Sequence, residues 1–375
     1  MYICLIFCNI YVNCIKAAPL KARLIPQSGN LDSKWLLIYY CIIIYKTLYP
    51  IKLNGGINMP AASTHYIFAK ETMPLIKDLV DFKIDPRAFY YGTQGPDLYF
   101  FHRLLPWQLG KSYRTQGIDL HNNACPTDIL NAIKKYFREN PDDIIGKSYL
   151  LGFMCHYCLD STTHAYIYFV NFEMKDKMHP RWWSFTVHNK VELNIDTILI
   201  QEKLGIEDAE SFKIYETFSL DPEVVSAVGR CLAYLSNEVF DRSLDAQKVS
   251  LSCKDTRNIC KFTTNTPKWK RKAVKILEAP IYPFLGPAIS IFMRPAKPRT
   301  DWDYLNLSHG EWTNPYDEND TAHTDSFPEL YEQAKVKFKN MVCGFYKSLQ
   351  DDSDMTYLTS NIGFSHCVPI NETVK

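Results

Sequence analysis

His156, Asp160 and His164 are set four residues apart inside an otherwise apolar stretch, Leu150–Ile167 (LLGFMCHYCLDSTTHAYI). On an α-helix that step stacks side chains along one face, each drifting back by a small angle. The device recurs in WWSFTVHNKVELNIDTILI, where His188, Glu192 and Asp196 repeat the spacing. Imidazoles and carboxylates in line on apolar helices are costly to bury unless something holds them, and a metal ion does so readily. One such stripe alone reads as structural. Two of them, joined by His65, Asp97 and His121 at element starts or turns, read as a metal centre between helices. Nitrogen and oxygen donors without paired thiolates favour Zn²⁺ in an open catalytic site over a closed structural one.

The remaining histidines carry no such pattern. His102 and His179 read as bystanders, and His309, His323 and His366 fall in loop-like C-terminal sequence. Cys155 and Cys158 form a CxxC, but within the first stripe's helix, where a reduced, buried pair is expected. Rival signatures are missing: no His-Asp dipeptide, HExxH, Glu-x-x-His, GxSxG or Walker A loop occurs.

The elements that would position these residues are helical. Ser63 or Thr64 can cap a helix starting near His65, with Pro74 kinking or dividing it. Gly92, Gly95 and Pro96 interrupt the next segment and present Asp97 at a turn between aromatic pairs. A loop reaching LHNN brings in His121, a helix from about Thr127 to Glu139 precedes the first stripe, and the second stripe's helix runs to about Gln201. The pattern stays helical from Asp221, and a last amphipathic helix occupies Phe327–Leu349. No alternation of period two is long enough to build a sheet. The expectation is an all-α multi-helix bundle with the metal cluster between helices.

Composition agrees with a globular fold: 375 residues, 46% apolar, 22% charged. A net charge of +1 offers no general attraction to nucleic acid. The one basic run, Lys268–Lys272 (KWKRK), reads as a solvated helix start. Residues 1–58 differ from the rest, and Trp35–Tyr45 is too short to span a bilayer comfortably. Translated upstream sequence before a start at Met59 is the leading reading of that segment, with a signal or anchor as the alternative. The expected organisation is an atypical extension at 1–58, a metal-binding helical region at 59–245 and a helical portion at 246–375. Localisation follows the start: cytoplasmic from Met59, secreted or membrane-associated if 1–58 acts as a signal.

Taken in order, THYIFAKE, the GPD turn, HNN, GFMCHYCLDSTTHAY and HNKVELNID resemble the zinc-dependent phospholipase C family, whose superfamily includes single-strand nucleases. The likeness covers about Met59–Ile200 and, weakly, WTNPY…DSFPELY. It implies a mostly helical fold with a cluster of two or three zinc ions. On the matching motifs, His121, His156 and Asp160 would hold one zinc, with Asp97 at or beside it, and His164, His188 and Glu192 a second. His65 would join a bridging Asp160 at a third, completed by the N-terminal amine. With Met59 as start and Met removed, that amine is Pro60, five residues before His65 as in the nucleases. Two features depart from the family pattern: the first stripe lacks two residues between Asp160 and His164, and His65 lies nearer the start. The implied activity is phosphodiester hydrolysis by zinc-activated water, with Asp97 orienting or deprotonating it and Asp196 hydrogen-bonding a ligand imidazole. Phospholipid is the leading substrate, with transient membrane-surface contact. A soluble phosphodiester, including nucleic acid, and a non-catalytic metal-stabilised protein are the alternatives.

Overall fold

Helix α1 (Ala62–Ile76) opens the part of the chain described by the computed structural model, which covers residues 62–104, 108, 110–174, 183–264, 267–279 and 290–374. Met59, Pro60, His179 and Trp182 lie outside the described residues, as do the expectations placed on residues 1–58. Contacts separate residues 1–52 with 103–111 from a unit of 53–102 and 112–375. The architecture below is that of the second unit.

Among the described residues the secondary structure is helical, with two isolated β-bridges, Trp312–His323 and Ile362–Pro369, and no strand. After α1 come α2 (Pro86–Gly92), a 3₁₀ turn at Gly95–Asp97, α3 (Leu98–Phe101), α4 (Arg114–Asn122) and α5 (Pro126–Glu139). Then follow α6 (Ile144–Glu173) and α7 (Trp183–Leu204), which carry the two stripes, then α8 (Pro222–Phe240), α9 (Ala246–Thr263) and α10 (Lys268–Glu278). Long α11 (Phe327–Asp351) and short α12 (Thr356–Thr359) close the chain.

Helix α6 is the axis. Its sequence is apolar on nearly every side, and a helix of that kind must be covered all round. From Gly146 to Asn171 almost every side chain is buried. Helices α2, α7, α8 and α11 pack against it. On the α11 side the Cys158 thiol meets the Met341 sulfur at 3.5 Å, and Cys155 meets the Thr72 hydroxyl at 3.3 Å. Both cysteines are free thiols raised in pKa by burial. A good capping box of Ser326 and Glu329 starts α11.

Three local expectations differ. Ser63 and Thr64 are inside α1 rather than capping it, because a carboxylate from α7 takes the donors at that end. Pro74 does not divide α1, which runs past it to Ile76; it falls in the helix's last turn. His121 sits on a helix, α4, rather than on a loop.

The contact between α2 and α6 is backbone to backbone. A Cβ on Gly92 would meet the Tyr149 carbonyl oxygen and the Gly152 Cα (2.8 Å), and one on Gly152 would meet the Phe89 carbonyl oxygen and the Gly92 Cα (2.8 Å). Neither neighbour can yield without moving a helix. Gly152→Ala is therefore expected to destabilise the fold by about 1–3 kcal/mol or more, the range for overpacking. Denaturant titration measures this, and an unchanged midpoint would show that the helices separate freely.

Candidate metal centre

The site begins with α6. Its four-residue step brings the Nε2 of His156 to 3.0 Å from Asp160 Oδ2, and His164 to 4.0 Å from the same oxygen. From α1, His65 Nε2 reaches Asp160 Oδ1 at 3.3 Å. From α4, His121 Nε2 lies 3.1 Å from Asp97 Oδ1 and 3.9 Å from Asp160 Oδ2. From α7, His188 Nε2 is 3.1 Å from Glu192 Oε1, which also stands 3.6 Å from His164 Nε2. All eight side chains are buried. Their donor atoms form three groups, His65–Asp97–His156 and His121–His156–Asp160, which share His156, and His164–His188–Glu192, with the donors of each within 4.8 Å of one another. The structure thus brings together His65, Asp97, His121, His156, Asp160, His164, His188 and Glu192.

Several observations bear on whether these residues fit zinc. Two ligand atoms at about 2.1 Å from one tetrahedral zinc stand roughly 3.3 Å apart, and the nitrogen–oxygen separations of 3.0–3.6 Å match that spacing. The nitrogens His156 Nε2 and His188 Nε2 make no hydrogen bond despite their nearness to carboxylates, so they are aimed beside the oxygen rather than at it. Three rings are also fixed by tautomer. Nδ1 of His121 faces the Gly117 carbonyl at 2.7 Å, Nδ1 of His156 the Thr93 carbonyl at 3.2 Å, and Nδ1 of His164 the Phe364 carbonyl at 2.9 Å. A carbonyl only accepts, so Nδ1 carries the proton and Nε2 of the neutral ring keeps its lone pair for a metal. Buried His102 contrasts with these. The Tyr113 N–H donates to its Nδ1 and its Nε2 donates to the Lys248 carbonyl, so both nitrogens are spent on the protein.

The electrostatics run the same way. Burial opposes charge on His164, yet Asp160 and Glu192 outweigh it and hold the ring at about 9. Burial likewise opposes charge on His156, and Asp160 and Asp97 more than compensate. Burial dominates at His65, lowering it to about 4. Against its own burial, Glu192 is lowered to about 2 by His188 and His164, and Asp160 falls well below the usual carboxylate range beside its imidazoles. The carboxylates are thus ionised in a nearly dry core, where protons on two histidines supply positive charge. A divalent cation supplies it more strongly by displacing those protons.

Asp196 differs from its expected role. Instead of touching an imidazole, it accepts from the backbone N–H of Ser63 (3.3 Å) and Thr64 (2.7 Å) and from the Thr64 hydroxyl (2.8 Å). It tethers the first turn of α1, one residue before His65, because the free N–H groups of a helix start are the strongest donors in its reach. Arg294 completes the network, donating to Asp196 Oδ2 at 3.4 Å and to the Ser63 hydroxyl, with both Arg294 and Asp196 buried. Nothing in the sequence around Arg294 marked it. Gly95 has a partial signal, the GPD turn. It adopts φ +51°, and a Cβ there would strike the His156 ring. The carbonyls of Thr93, Gly117 and Phe364 carry no side-chain signal at all.

Arg294→Met leaves the Asp196 carboxylate buried and unpaired, and is expected to cost about 3–5 kcal/mol. Adding Asp196→Leu should recover part of that loss. Denaturant unfolding of both variants checks it, and a double variant worse than the sum of the singles would sink the pairing.

Comparison with known proteins gives one positive result. Residues 64–244 match the family model described as zinc dependent phospholipase C. No curated protein and no solved structure matches. The matched stretch holds all eight residues of the three donor groups, and zinc, the metal of that family, suits this set of nitrogen and oxygen donors. Residues 64–244, with their buried clusters of imidazole and carboxylate on helices, are similar to the zinc-dependent phospholipase C family, hydrolases that act on phosphodiester bonds.

Proposed function

We propose that this chain is a phospholipase C-type hydrolase of phospholipids. The observation that carries the reading is Asp160. Its carboxylate stands 3.3 Å from His65 Nε2, 3.0 Å from His156 Nε2 and 3.9 Å from His121 Nε2, so imidazoles from three helices converge on one carboxylate.

Zinc held there would supply Lewis-acid stabilisation of phosphodiester oxygens and a lowered pKa for water. His121, His156 and Asp160 would hold one ion, His164, His188 and Glu192 another, and His65 with Asp160 or Asp97 a third. The protein does the rest. Asp97 is presented by the 3₁₀ turn beside His121 and is suited to orient or accept a proton from the attacking water. Phe364 packs edge-on against His121 and at 5.9 Å from the His156 ring, adding an apolar wall beside both imidazoles.

The site has a front and a back. His156 and His188 are at most 1% exposed, whereas His65, Asp97, His121 and His164 keep 5–8%. The void bounded by His65, Asp160, His164 and Glu192 is about 10 Å³, room for one water or ion rather than a phosphate. A substrate phosphate must therefore dock on the face formed by the more exposed residues, with its apolar chains outside the core.

Metal analysis of the purified chain and hydrolysis of phosphatidylcholine test the reading together. His156→Ala and His188→Ala should each lower bound zinc and reduce turnover by at least about a hundredfold, the order lost with one electrostatic stabiliser. Chelation should abolish turnover and zinc restore it. Cleavage of single-stranded DNA in preference to lipid would move the substrate to nucleic acid. Zinc binding without hydrolysis of either would mean a metal-stabilised protein.

A further inference from the structure

We propose that helix α10 is an interfacial helix that seats the protein on an anionic lipid surface. Its sequence, KWKRKAVKILE, advances about 100° per residue as a helix. Ile276, Trp269, Ala273, Leu277 and Val274 then fall within an arc of about 160°, interrupted by Lys270 between Leu277 and Val274, with the other lysines, Arg271 and Glu278 on the remainder. In a helix that docks on its own protein, the middle of such an arc is buried. Here it points outward: Trp269 is 67% exposed, Ile276 61% and Leu277 58%, while only Val274, at the arc's end, is buried.

Apart from Val274, the inward side is polar and engaged. Arg271 pairs with Glu210 and the Arg294 carbonyl, and Glu278, the helix's only acid, accepts from the Ser290 N–H. Lys270 turns back over the Phe262 ring (4.4 Å) and donates to the Phe262 carbonyl. Lys272 is exposed next to Ile276 at the arc's edge and Lys275 is exposed about 100° round the helix from it, with no carboxylate pairing either one among the described residues. No helix among those residues is long and apolar enough to cross a membrane, so the geometry is that of a helix lying on a surface.

Charge selects the occupant. A second copy of this helix, related by a two-fold axis, would bring lysines against lysines. Nucleic acid would answer the lysines but leave Ile276 and Leu277 in water. An anionic bilayer answers both: phosphates meet Lys272 and Lys275, the indole of Trp269 takes the headgroup level, and Ile276 and Leu277 enter the acyl boundary. The choice of lipid over an acidic protein face rests on the phospholipid reading of the zinc site, since a lipid hydrolase works at that surface. The notion of a merely solvated helix start at Lys268–Lys272 explains the lysines but not the apolar residues between them.

The test uses the full zinc-loaded chain and vesicles of phosphatidylcholine with and without phosphatidylglycerol, read by sedimentation, beside hydrolysis of a short-chain phosphatidylcholine below its micelle concentration. The chain should pellet with the anionic vesicles and be released by salt. Lys272→Glu/Lys275→Glu should weaken that partition by at least about tenfold, each lysine near an anionic surface contributing roughly fivefold. Trp269→Ser/Ile276→Ser should weaken it comparably, and both variants should keep wild-type zinc content and monomer hydrolysis. Vesicle binding unchanged in both variants overturns the proposal, as does wild-type self-association that these substitutions abolish. Vesicle binding that the variants lose, in a chain that never hydrolyses the monomeric lipid, supports the helix and refutes the phospholipid reading of the site.

Discussion

The structure depends on the burial of Asp160. An ionised carboxylate inside an apolar helix is one of the most expensive groups a core can hold, and it persists only if nearby positive charge compensates it. At Asp160 that compensation comes from imidazoles on two helices besides its own: His65 on α1 and His121 on α4. Those rings can approach only if their helices pack end-on or side-on to α6 at fixed depth. The site therefore organises the bundle as much as the bundle organises the site. Glu192 repeats the arrangement with His188 and His164, and links α7 to α6.

Several of the candidate donors are placed by contacts other than those they make with one another. Helix α1 is held at its start by Asp196 and Arg294, so His65 is placed by a polar tether in addition to apolar packing. The turn carrying Asp97 is set by α2, whose depth against α6 follows from two glycines meeting backbone to backbone. His164 is turned by a carbonyl two hundred residues away in sequence, on a C-terminal segment that Asn314 and Tyr157 hold through its own carbonyls. This is the division of labour expected when ring orientation matters: outer partners fix the rotamer and tautomer, and the ligand atoms are left facing one another.

Most of the fold class and the donor set was legible in the sequence, for a specific reason. A four-residue step is a property of one helix, so His156, Asp160 and His164, or His188 and Glu192, announce their common face without reference to anything else. His65, Asp97 and His121 depend on tertiary arrangement, and only the order of the motifs, which resembles a family's, marks them in the sequence. Asp196 shows the limit of the same rule. It extends the α7 stripe in perfect register, yet one more turn of helix carries it past the imidazoles to the start of α1, where backbone N–H groups compete for it. Register gives direction but not depth. Ser63 and Thr64 failed for the same cause, since local capping propensity cannot foresee a carboxylate arriving from residue 196. Carbonyl partners and Arg294 left no trace because backbone groups are common to every residue and a single buried arginine has no periodic signature.

The contrast between His102 and the site histidines shows why burial alone does not identify a ligand. All are buried, and all lie on or beside helices. The difference lies in the second nitrogen. In His102 it is given to the Lys248 carbonyl, and the ring becomes a cross-brace between segments. In His121, His156 and His164 one nitrogen is anchored to a carbonyl and the other faces carboxylates at distances that suit a shared ion. A core stabilised only by hydrogen bonds would gain by turning those nitrogens onto carbonyl or hydroxyl partners, as happens at His102, and would lose nothing by replacing Asp160 with an apolar residue of similar size. That five rings and three carboxylates instead converge in one dry region, with unspent donor atoms facing inward, is the arrangement a metal ion explains and folding stability alone does not.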